Sequence, residues 1–129
     1  MSEQDVETIR GAYDAFNSGN PGGVLERLDA EVEWIEPGGG NAPTGTFTGP
    51  QSVGQDVFSA IPQQFEEFKA EPENFDDQGD TVVVTGRFKG KSKGGTELDA
   101  PFEHDFEMQG GKVARFQNKV EGNWTDAWS

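Results

Sequence analysis

The stretch Pro101-Phe-Glu-His-Asp-Phe-Glu-Met108 decides the fold. Its apolar residues alternate with acidic ones, which is the period-two pattern of a strand with one face in a core. The turn Gln-Gly-Gly-Lys follows over 109–112, and a second alternating run covers 113–120. The pattern predicts a β-hairpin. His104, the only histidine, shares its inward face with apolar side chains, while three carboxylates point away.

Length and composition limit the class of protein. A chain of 129 residues suits a single domain over 1–129 with one hydrophobic core. No run approaches the roughly 18 apolar residues of a transmembrane helix, and the polar, acidic N-terminus is unlike a secretory signal. The lack of cysteine excludes disulfides, thiolate metal sites and a cysteine nucleophile. We therefore expect a cytoplasmic protein.

The charge is strongly negative. Twenty-four acidic residues against ten basic ones give a net charge of −14. Phosphate backbones and anionic membranes repel such a surface, so we expect neither nucleic acid nor membrane as a partner. The acids are spread from Glu3 to Asp126, which resembles proteins of salt-accumulating organisms whose carboxylates keep the surface hydrated. We therefore expect a halophilic source.

Helical periodicity lies mainly in the first half of the chain. Apolar residues at helical spacing predict helices over 3–18, 24–28 and 50–61. Strands are predicted over 31–37, 66–75 and 81–88, and the hairpin extends over 96–108 and 112–121. This order, with helices early and antiparallel strands late, is typical of an α+β domain whose helices pack on one face of a curved sheet.

Two further segments bear on a site. Strict alternation over 31–37 places Glu36 on the same inward face as Trp34. The glycine-rich segment 38–45 is either the rim of a pocket or a simple connector. Trp124 and Trp128 share one side of a terminal helical turn, where they cap a pocket or pack on a partner chain.

Five motifs, in this order and spacing, span nearly the whole chain. They are Tyr13-Asp-Ala-Phe-Asn-Ser-Gly-Asn20, Leu28-Asp-Ala-Glu-Val-Glu-Trp34, Gly45-Thr-Phe-Thr-Gly-Pro50, Gly79-Asp-Thr-Val-Val-Val84, and Phe102-Glu-His104 with Gly111-Lys-Val-Ala-Arg-Phe116.

Together they resemble the SnoaL-like and ketosteroid-isomerase-like branch of the nuclear transport factor 2 superfamily. The resemblance implies a cone-shaped barrel, in which three N-terminal helices pack on a strongly curved, mostly antiparallel sheet around a deep apolar pocket. It also implies a homodimer formed through the outer face of the sheet. Members of this branch include isomerases, polyketide cyclases, epoxide hydrolases, dehydratases and non-catalytic domains, so the resemblance does not fix an activity.

Part of the family's active site carries over. Glu36 before Pro37 resembles the general base of the ketosteroid isomerases, and Glu103 in Ala100-Pro-Phe-Glu103 resembles their oxyanion-binding acid. Alternation conflicts with the second match, because it places His104 inward and Glu103 outward unless a bulge shifts the register. We follow the alternation.

Two other positions differ from the family pattern. The catalytic tyrosine of the isomerases would fall on Ala12, with Tyr13 one step round the helix, which argues against steroid isomerisation itself. In SnoaL-like members a pocket histidine lies at the position of His104. An acidic residue near the end of the last strand assists it, and Glu121 approximates that position where aspartate is more usual.

His104 and Glu36 are therefore the candidate catalytic residues. A neutral imidazole can act as a base or polarise a carbonyl. A carboxylate beside Trp34 in an apolar pocket should hold its proton more tightly, which suits proton transfer. The alternatives are a hydrogen-bonded core histidine and a solvated glutamate at the rim.

The candidate pocket residues are those predicted to face the same interior. Each of the aromatic ones could equally be ordinary core, and Asn118 is a buried polar group that needs a partner. As a lining they would select flat, apolar ligands. The set comprises Tyr13, Phe16, Trp34, Phe58, Phe106, Phe116, Asn118 and Glu121.

Three functions remain open. The first is cofactor-free acid–base chemistry, as an isomerase, cyclase or hydrolase, on a small apolar carbonyl compound or epoxide. His104 and Glu36 would exchange the proton, and Tyr13 or Asn118 would orient the oxygen. The others are a non-catalytic ligand-binding domain and a dimerisation module. One histidine and no cysteine give no credible metal site, and no cofactor is expected.

Overall fold

The computed structural model describes residues 2–129, and within them helices lie before, between and after the strands of a six-stranded sheet. The helices are α1 (Ser2–Asn17), α2 (Pro21–Leu25), α3 (Pro50–Ser52), α4 (Ile61–Gln64) and α5 (Trp124–Ala127). The strands are β1 (Leu28–Pro37), β2 (Thr44–Thr48), β3 (Phe65–Asp77), β4 (Thr81–Ser92), β5 (Glu97–Gln109) and β6 (Lys112–Val120).

The strands lie in the order β2-β1-β6-β5-β4-β3. Neighbours run antiparallel except β1 and β6, which are parallel and bring Trp34 opposite Phe116. The predicted fold class is confirmed: helices pack on one face of a curved, mostly antiparallel sheet. The sheet is open, with β2 and β3 at its edges, and does not close into a barrel.

Helix α1 is held to the sheet by the apolar stripe that the sequence predicts. Ile9, Ala12 and Tyr13 are buried, since residues three and four apart lie on one face of a helix. Asn17 at the end of the helix then bonds the edge strand β3 twice. Its Nδ2 donates to the carbonyl oxygen of Ala70 at 2.8 Å, and its Oδ1 accepts from the N–H of Ala70 at 2.9 Å.

Two local predictions were wrong. The sequence assigned 38–45 to a loop and missed β2, because Thr44–Thr48 is a largely exposed edge strand with no apolar alternation. The third predicted helix is broken: a π-turn at Val53–Val57 and a 3₁₀ turn at Phe58–Ala60 separate α3 from α4. Its apolar stripe nevertheless faces inward, with Val53, Val57 and Phe58 buried.

The boundaries of α2 and β1 also differ from prediction. Helix α2 begins at Pro21 rather than at residue 24, because Asn20 caps it by accepting from the N–H of Gly23 at 3.3 Å. Proline is well suited to the first helical position, where no backbone donor is needed. The chain consequently enters β1 at Leu28, which pairs with Val113 of β6.

The hairpin of β5 and β6 has the predicted register with one bulge. His104 lies opposite Val84 on one side and Asn118 on the other. The register shifts between Glu107 and Met108, so that Met108 lies opposite Val113. Val113 is therefore buried instead of Ala114, which strict alternation would have turned inward.

Candidate functional site

An aromatic cavity lies between the helices and the inner face of the sheet. Its volume is about 80 Å³, which is small beside the roughly 300–1,000 Å³ of pockets for drug-sized ligands. All three tryptophans contribute to its wall, along with phenylalanines from α1, the 3₁₀ turn and the strands. Within this apolar wall the polar side chains are Tyr13, Glu36, His104 and Asn118, besides the indole N–H groups.

Glu36 is held in the wall by two donors. Trp34 Nε1 donates to Glu36 Oε2 at 2.6 Å, and Asn118 Nδ2 donates to Glu36 Oε1 at 3.0 Å. Both partners follow from the strands: Trp34 lies two residues away on the same face of β1, and Asn118 is on the adjoining β6. Glu36 is 8% exposed.

Burial controls the ionisation of Glu36. Removal from water raises the pKa of the carboxyl from 4.5 to about 7, although the hydrogen bonds from Asn118 and Trp34 act in the opposite direction. An ionised carboxyl in an apolar site is destabilised, while donors to it stabilise the charge. The result is a carboxyl that can either accept or release a proton near neutral pH, which is the property that acid–base catalysis needs.

His104 is the second buried titratable group, and both of its ring nitrogens have partners. Nδ1 lies 2.6 Å from Tyr13 Oη, and Nε2 lies 3.0 Å from Asn118 Oδ1. The imidazole also stacks on Phe102, with ring centroids 3.9 Å apart. Burial lowers the pKa of His104 to about 3, against the weaker effects of Asn118 and Asp105. The ring is therefore neutral at physiological pH.

While Glu36 is ionised, the polarity of the hydrogen bonds determines which tautomer this neutral ring adopts. Asn118 turns its Nδ2 toward Glu36, which leaves Oδ1 to face His104. An oxygen there can only accept, so Nε2 carries the proton and Nδ1 is an acceptor. Tyr13 consequently donates its O–H to Nδ1. Its phenol stays protonated, because burial raises the pKa of Tyr13 well above 10.0.

The structure places seven of the eight predicted pocket residues in the cavity wall. They are Tyr13, Phe16, Trp34, Phe58, Phe106, Phe116 and Asn118. The two candidate catalytic residues also line it, yet they do not touch: the amide of Asn118 lies between His104 and Glu36.

Glu121 lies outside the aromatic cavity. It is exposed just beyond the end of β6, in a surface groove that Glu36 also borders. The expectation that Glu121 lines the pocket is wrong, because β6 ends one residue earlier and the chain turns there toward α5. Glu103 likewise faces outward, where Lys119 Nζ lies 3.3 Å from its carboxylate. The resemblance of Glu103 to an oxyanion-binding acid therefore does not hold.

The glycine-rich segment and the C-terminal helix form one corner of the site. Trp124 Nε1 donates to the carbonyl oxygen of Gly38 at 3.0 Å, and the N–H of Asn41 donates to the carbonyl oxygen of Trp128 at 2.8 Å. Gly40 has a φ of +57°, and an added Cβ would lie 2.8 Å from that same Trp128 oxygen. This segment is the connector between β1 and β2, and its Pro43 also lines the cavity.

Trp128 leaves one polar atom without a partner. Its ring lines the cavity, and its Nε1 is buried with no hydrogen-bond acceptor among the described residues. The other two indole N–H groups are satisfied, by Glu36 and by Gly38. The sequence left open whether Trp128 caps a pocket or packs on a partner chain. It did not place Phe68 and Phe88 in the wall, because β3 and β4 meet the helices only in the folded chain.

Within residues 2–129, no three histidine, aspartate or glutamate side chains are grouped so that they could hold a metal ion. Over the same residues, no helix is both long and apolar enough to cross a membrane. The polar side chains that line the cavity are Tyr13, Glu36, His104 and Asn118, together with the indoles.

The fold and cavity define a small α+β protein of the nuclear transport factor 2 type with an acid–base group inside. The SnoaL-like domain family matches residues 9–116, which is most of the chain. The protein belongs to this family. A comparison with curated proteins found no match.

Solved structures agree with this assignment. The chain is similar to Bal32a, from a soil-derived mobile gene cassette, with 26% identity and a TM-score of 0.89 over 99% of this chain and 98% of that one. It is similar to TerC, co-crystallised with polyporic acid, with 28% identity, a TM-score of 0.84 and 92% of each chain covered. A protein of unknown function from Burkholderia pseudomallei is 25% identical, with a TM-score of 0.85 over 92% of this chain and 91% of that one.

Proposed function

We propose that the aromatic cavity binds a small apolar molecule and that Glu36 exchanges a proton with it. The observation that carries the proposal is a buried carboxyl in the cavity wall, held by Trp34 and Asn118, whose pKa is raised to about 7. Such a group is balanced between acid and base at neutral pH. The reaction is cofactor-free isomerisation, cyclisation or hydrolysis of a carbonyl compound or an epoxide.

In this proposal His104 does not exchange the substrate proton itself. Both of its nitrogens are already bonded within the protein, and its low pKa makes it a poor proton acceptor. It is a positioning residue, which holds Asn118 with its N–H toward Glu36. The sequence had instead indicated that His104 and Glu36 exchange the proton directly.

The size of the cavity limits the substrate. A cavity of about 80 Å³ can hold several water-sized groups, since one water needs roughly 10–15 Å³ on the same measure. The aromatic wall favours a compact, apolar body, and a single polar group would face Glu36. TerC, a similar structure that was co-crystallised with polyporic acid, supports the view that this chain binds a small organic molecule.

Proton exchange can be tested without knowing the natural substrate. Cyclopentanone in D₂O gains deuterium beside its carbonyl when a base removes those protons, and NMR measures the rate. We expect the wild-type protein to accelerate this exchange and Glu36→Gln to lose the acceleration. Glu121→Gln, which removes a carboxyl outside the cavity, is the matched control and should retain it. Equal rates in wild type and Glu36→Gln would contradict the proposal.

A second candidate is a binding domain without catalysis. One observation favours it. Among the described residues of the wall, Tyr13 and His104 donate their hydrogen bonds to other side chains of the protein, which leaves few donors for a reacting oxygen. Under this alternative, small ketones and epoxides raise the melting temperature, since a ligand of the native state stabilises it. No exchange or ring opening would then accompany binding.

We also propose that two copies associate through the outer face of the sheet. That face carries the ion pairs of Lys119 with Glu103 and Asp105, and Asp105 Oδ1 is buried without a partner among the described residues. The resemblance to the nuclear transport factor 2 superfamily, whose members commonly pair through this face, supports the proposal. Sedimentation should give twice the chain mass of 14.0 kDa, and a monomer at micromolar concentration would contradict the dimer.

A further inference from the structure

Five side chains form one continuous hydrogen-bonded chain along the cavity wall. Tyr13 bonds His104, His104 bonds Asn118, and Asn118 bonds Glu36, whose other oxygen accepts from Trp34. We call this set the polar chain. Its members come from α1, β5, β6 and β1, and all five line the cavity.

The end at Trp34 is fixed in polarity. An indole N–H can only donate, so Glu36 Oε2 must always accept there. The amide of Asn118 and the imidazole of His104 have no such restriction. Each presents one donor and one acceptor, and each can exchange the two roles. The direction of the chain is therefore decided at the other oxygen of Glu36.

When Glu36 is ionised, both of its oxygens accept. Asn118 must then present Nδ2 to it, and Oδ1 faces His104, which carries its proton on Nε2. Tyr13 gives its O–H to Nδ1 and has no hydrogen left for a ligand. In this state the cavity contains a base, while the phenol offers it no donor.

When Glu36 is neutral, its new O–H needs an acceptor in an apolar wall. The neighbouring side chain is Asn118, 3.0 Å away, and a rotated amide would present Oδ1 there. Nδ2 would then face His104 Nε2, which must become the acceptor. The imidazole proton moves to Nδ1 and is donated to Tyr13 Oη. The O–H of Tyr13 is thereby released toward the cavity.

We propose that the proton on Glu36 sets the direction of the polar chain, and that Tyr13 offers its O–H to a ligand oxygen when Glu36 is neutral. The ligand part rests on the proposed function. Removal of a proton from a ligand by Glu36 would create both the negative oxygen and the donor for it.

The proton count balances. Conversion of the state with ionised Glu36 to the state with neutral Glu36 adds one proton, at Glu36. This proton comes from the ligand or from water. Tyr13 keeps one phenolic proton, Asn118 keeps two amide protons, and His104 stays neutral, with its proton lost from Nε2 and replaced at Nδ1 by exchange with water. When the proton comes from a ligand C–H bond, the electron pair of that bond becomes the charge on the ligand oxygen.

Other charged groups near the chain lie outside the cavity. Its titratable lining residues are Tyr13, Glu36 and His104, all of which belong to the chain. Asp105, on the outer face of β5, weakly favours a charged His104. Glu36 also borders the surface groove that contains Glu103, Lys119 and Glu121.

A single histidine makes the direction measurable. Long-range ¹H–¹⁵N spectra distinguish a protonated ring nitrogen from an unprotonated one, and every histidine signal of this chain comes from His104. Glu36→Gln is the decisive variant. Trp34 forces the oxygen of the new amide toward itself, so that its NH₂ faces Asn118 and imitates a neutral carboxyl. We expect Nδ1 to carry the proton in Glu36→Gln at both pH 5 and pH 9.

The wild-type protein should show both states. At pH 9 the proton is expected on Nε2, and at pH 5 on Nδ1. Tyr13→Phe is the matched control, because it removes the far end of the chain and leaves the carboxyl in place. It should keep the proton on Nε2 at pH 9, which shows that the direction is set from Glu36. No substrate is involved, so the outcome is separate from the test of catalysis.

Three results would overturn the inference. A proton that stays on Nε2 in Glu36→Gln would show that the amides do not transmit polarity. A wild-type tautomer that is the same at pH 5 and pH 9 would show that the neutral carboxyl sends its O–H elsewhere. A proton on Nδ1 of His104 in Tyr13→Phe at pH 9 would show that Tyr13, and not Glu36, sets the direction of the polar chain. That result would also contradict the inference.

Discussion

Trp34 and Glu36 lie two residues apart on β1, face the same cavity and are joined by a hydrogen bond of 2.6 Å from Nε1 to Oε2. This bond supports the ionised carboxyl and opposes the effect of burial. Trp34→Phe should therefore raise the pKa of Glu36 above its value of about 7. Carbon-13 NMR of the glutamate carboxyl checks it. Trp124→Phe, whose indole donates elsewhere, is the control, and an unchanged or lower pKa in Trp34→Phe would contradict the role.

The raised pKa of Glu36 makes stability depend on pH in a stated direction. An acid that binds its proton more tightly in the folded state stabilises below pH 4.5 and loses that effect as the pH rises through about 7. Relative to wild type, Glu36→Gln should therefore gain roughly 3 kcal/mol in unfolding free energy over this range. Urea unfolding at several pH values measures it, and Glu121→Gln controls for the loss of one charge. A constant difference would contradict the shift.

His104 acts in the opposite sense. Its pKa is lowered from 6.5 to about 3. The neutral imidazole therefore contributes its full stabilisation above pH 6.5, and this contribution is lost as the pH falls from 6.5 toward 3. Between pH 4.5 and pH 6.5 a rise in pH weakens the contribution of Glu36 to stability and strengthens that of His104. The two effects therefore partly cancel in the plot of wild-type unfolding free energy against pH. Comparison of each variant with wild type at the same pH separates them.

Trp128 and Trp124 offer a matched pair of buried indoles. Trp128 Nε1 has no acceptor among the described residues, while Trp124 Nε1 donates to Gly38. Replacement by phenylalanine removes a similar amount of ring from each. Trp128→Phe also removes an unsatisfied donor, whereas Trp124→Phe creates an unsatisfied carbonyl oxygen. We expect Trp128→Phe to be the more stable variant by about 1–3 kcal/mol, measured by urea unfolding; the reverse order would show that Trp128 has a partner in solution.

The acidic surface predicts a strong response to salt. A net charge of −14 repels itself at low ionic strength, and salt shortens the screening length from about 10 Å at 0.1 M to about 3 Å at 1 M. We expect the melting temperature to rise between those two concentrations of KCl. Equal melting temperatures would remove the case for a halophilic protein.

Sequence patterns predicted the parts of the fold that repeat within one element. Alternation on β1 and β5 turned Glu36 and His104 inward, where both are buried. The edge strand β2 could not be predicted, because an exposed strand lacks the apolar alternation that marks a buried one. The bulge beside Met108, which turns Val113 rather than Ala114 inward, has no signal in the hairpin sequence.

The polar chain was beyond prediction for a different reason. Asn118 and Glu36 are 82 residues apart and meet only because β1 and β6 pair in parallel. The sequence indicated only that Asn118 needed a partner. It did not indicate that the amide would lie between His104 and Glu36, or that Tyr13 would reach Nδ1.

We infer that Glu36 exchanges protons near neutral pH inside the cavity. The most direct test of this inference is the titration of the Glu36 carboxyl carbon by NMR, with the resonance identified by its loss in Glu36→Gln. The structure predicts a midpoint near pH 7. A midpoint near 4.5, the ordinary value for glutamate, would show a solvated carboxylate and would contradict the account.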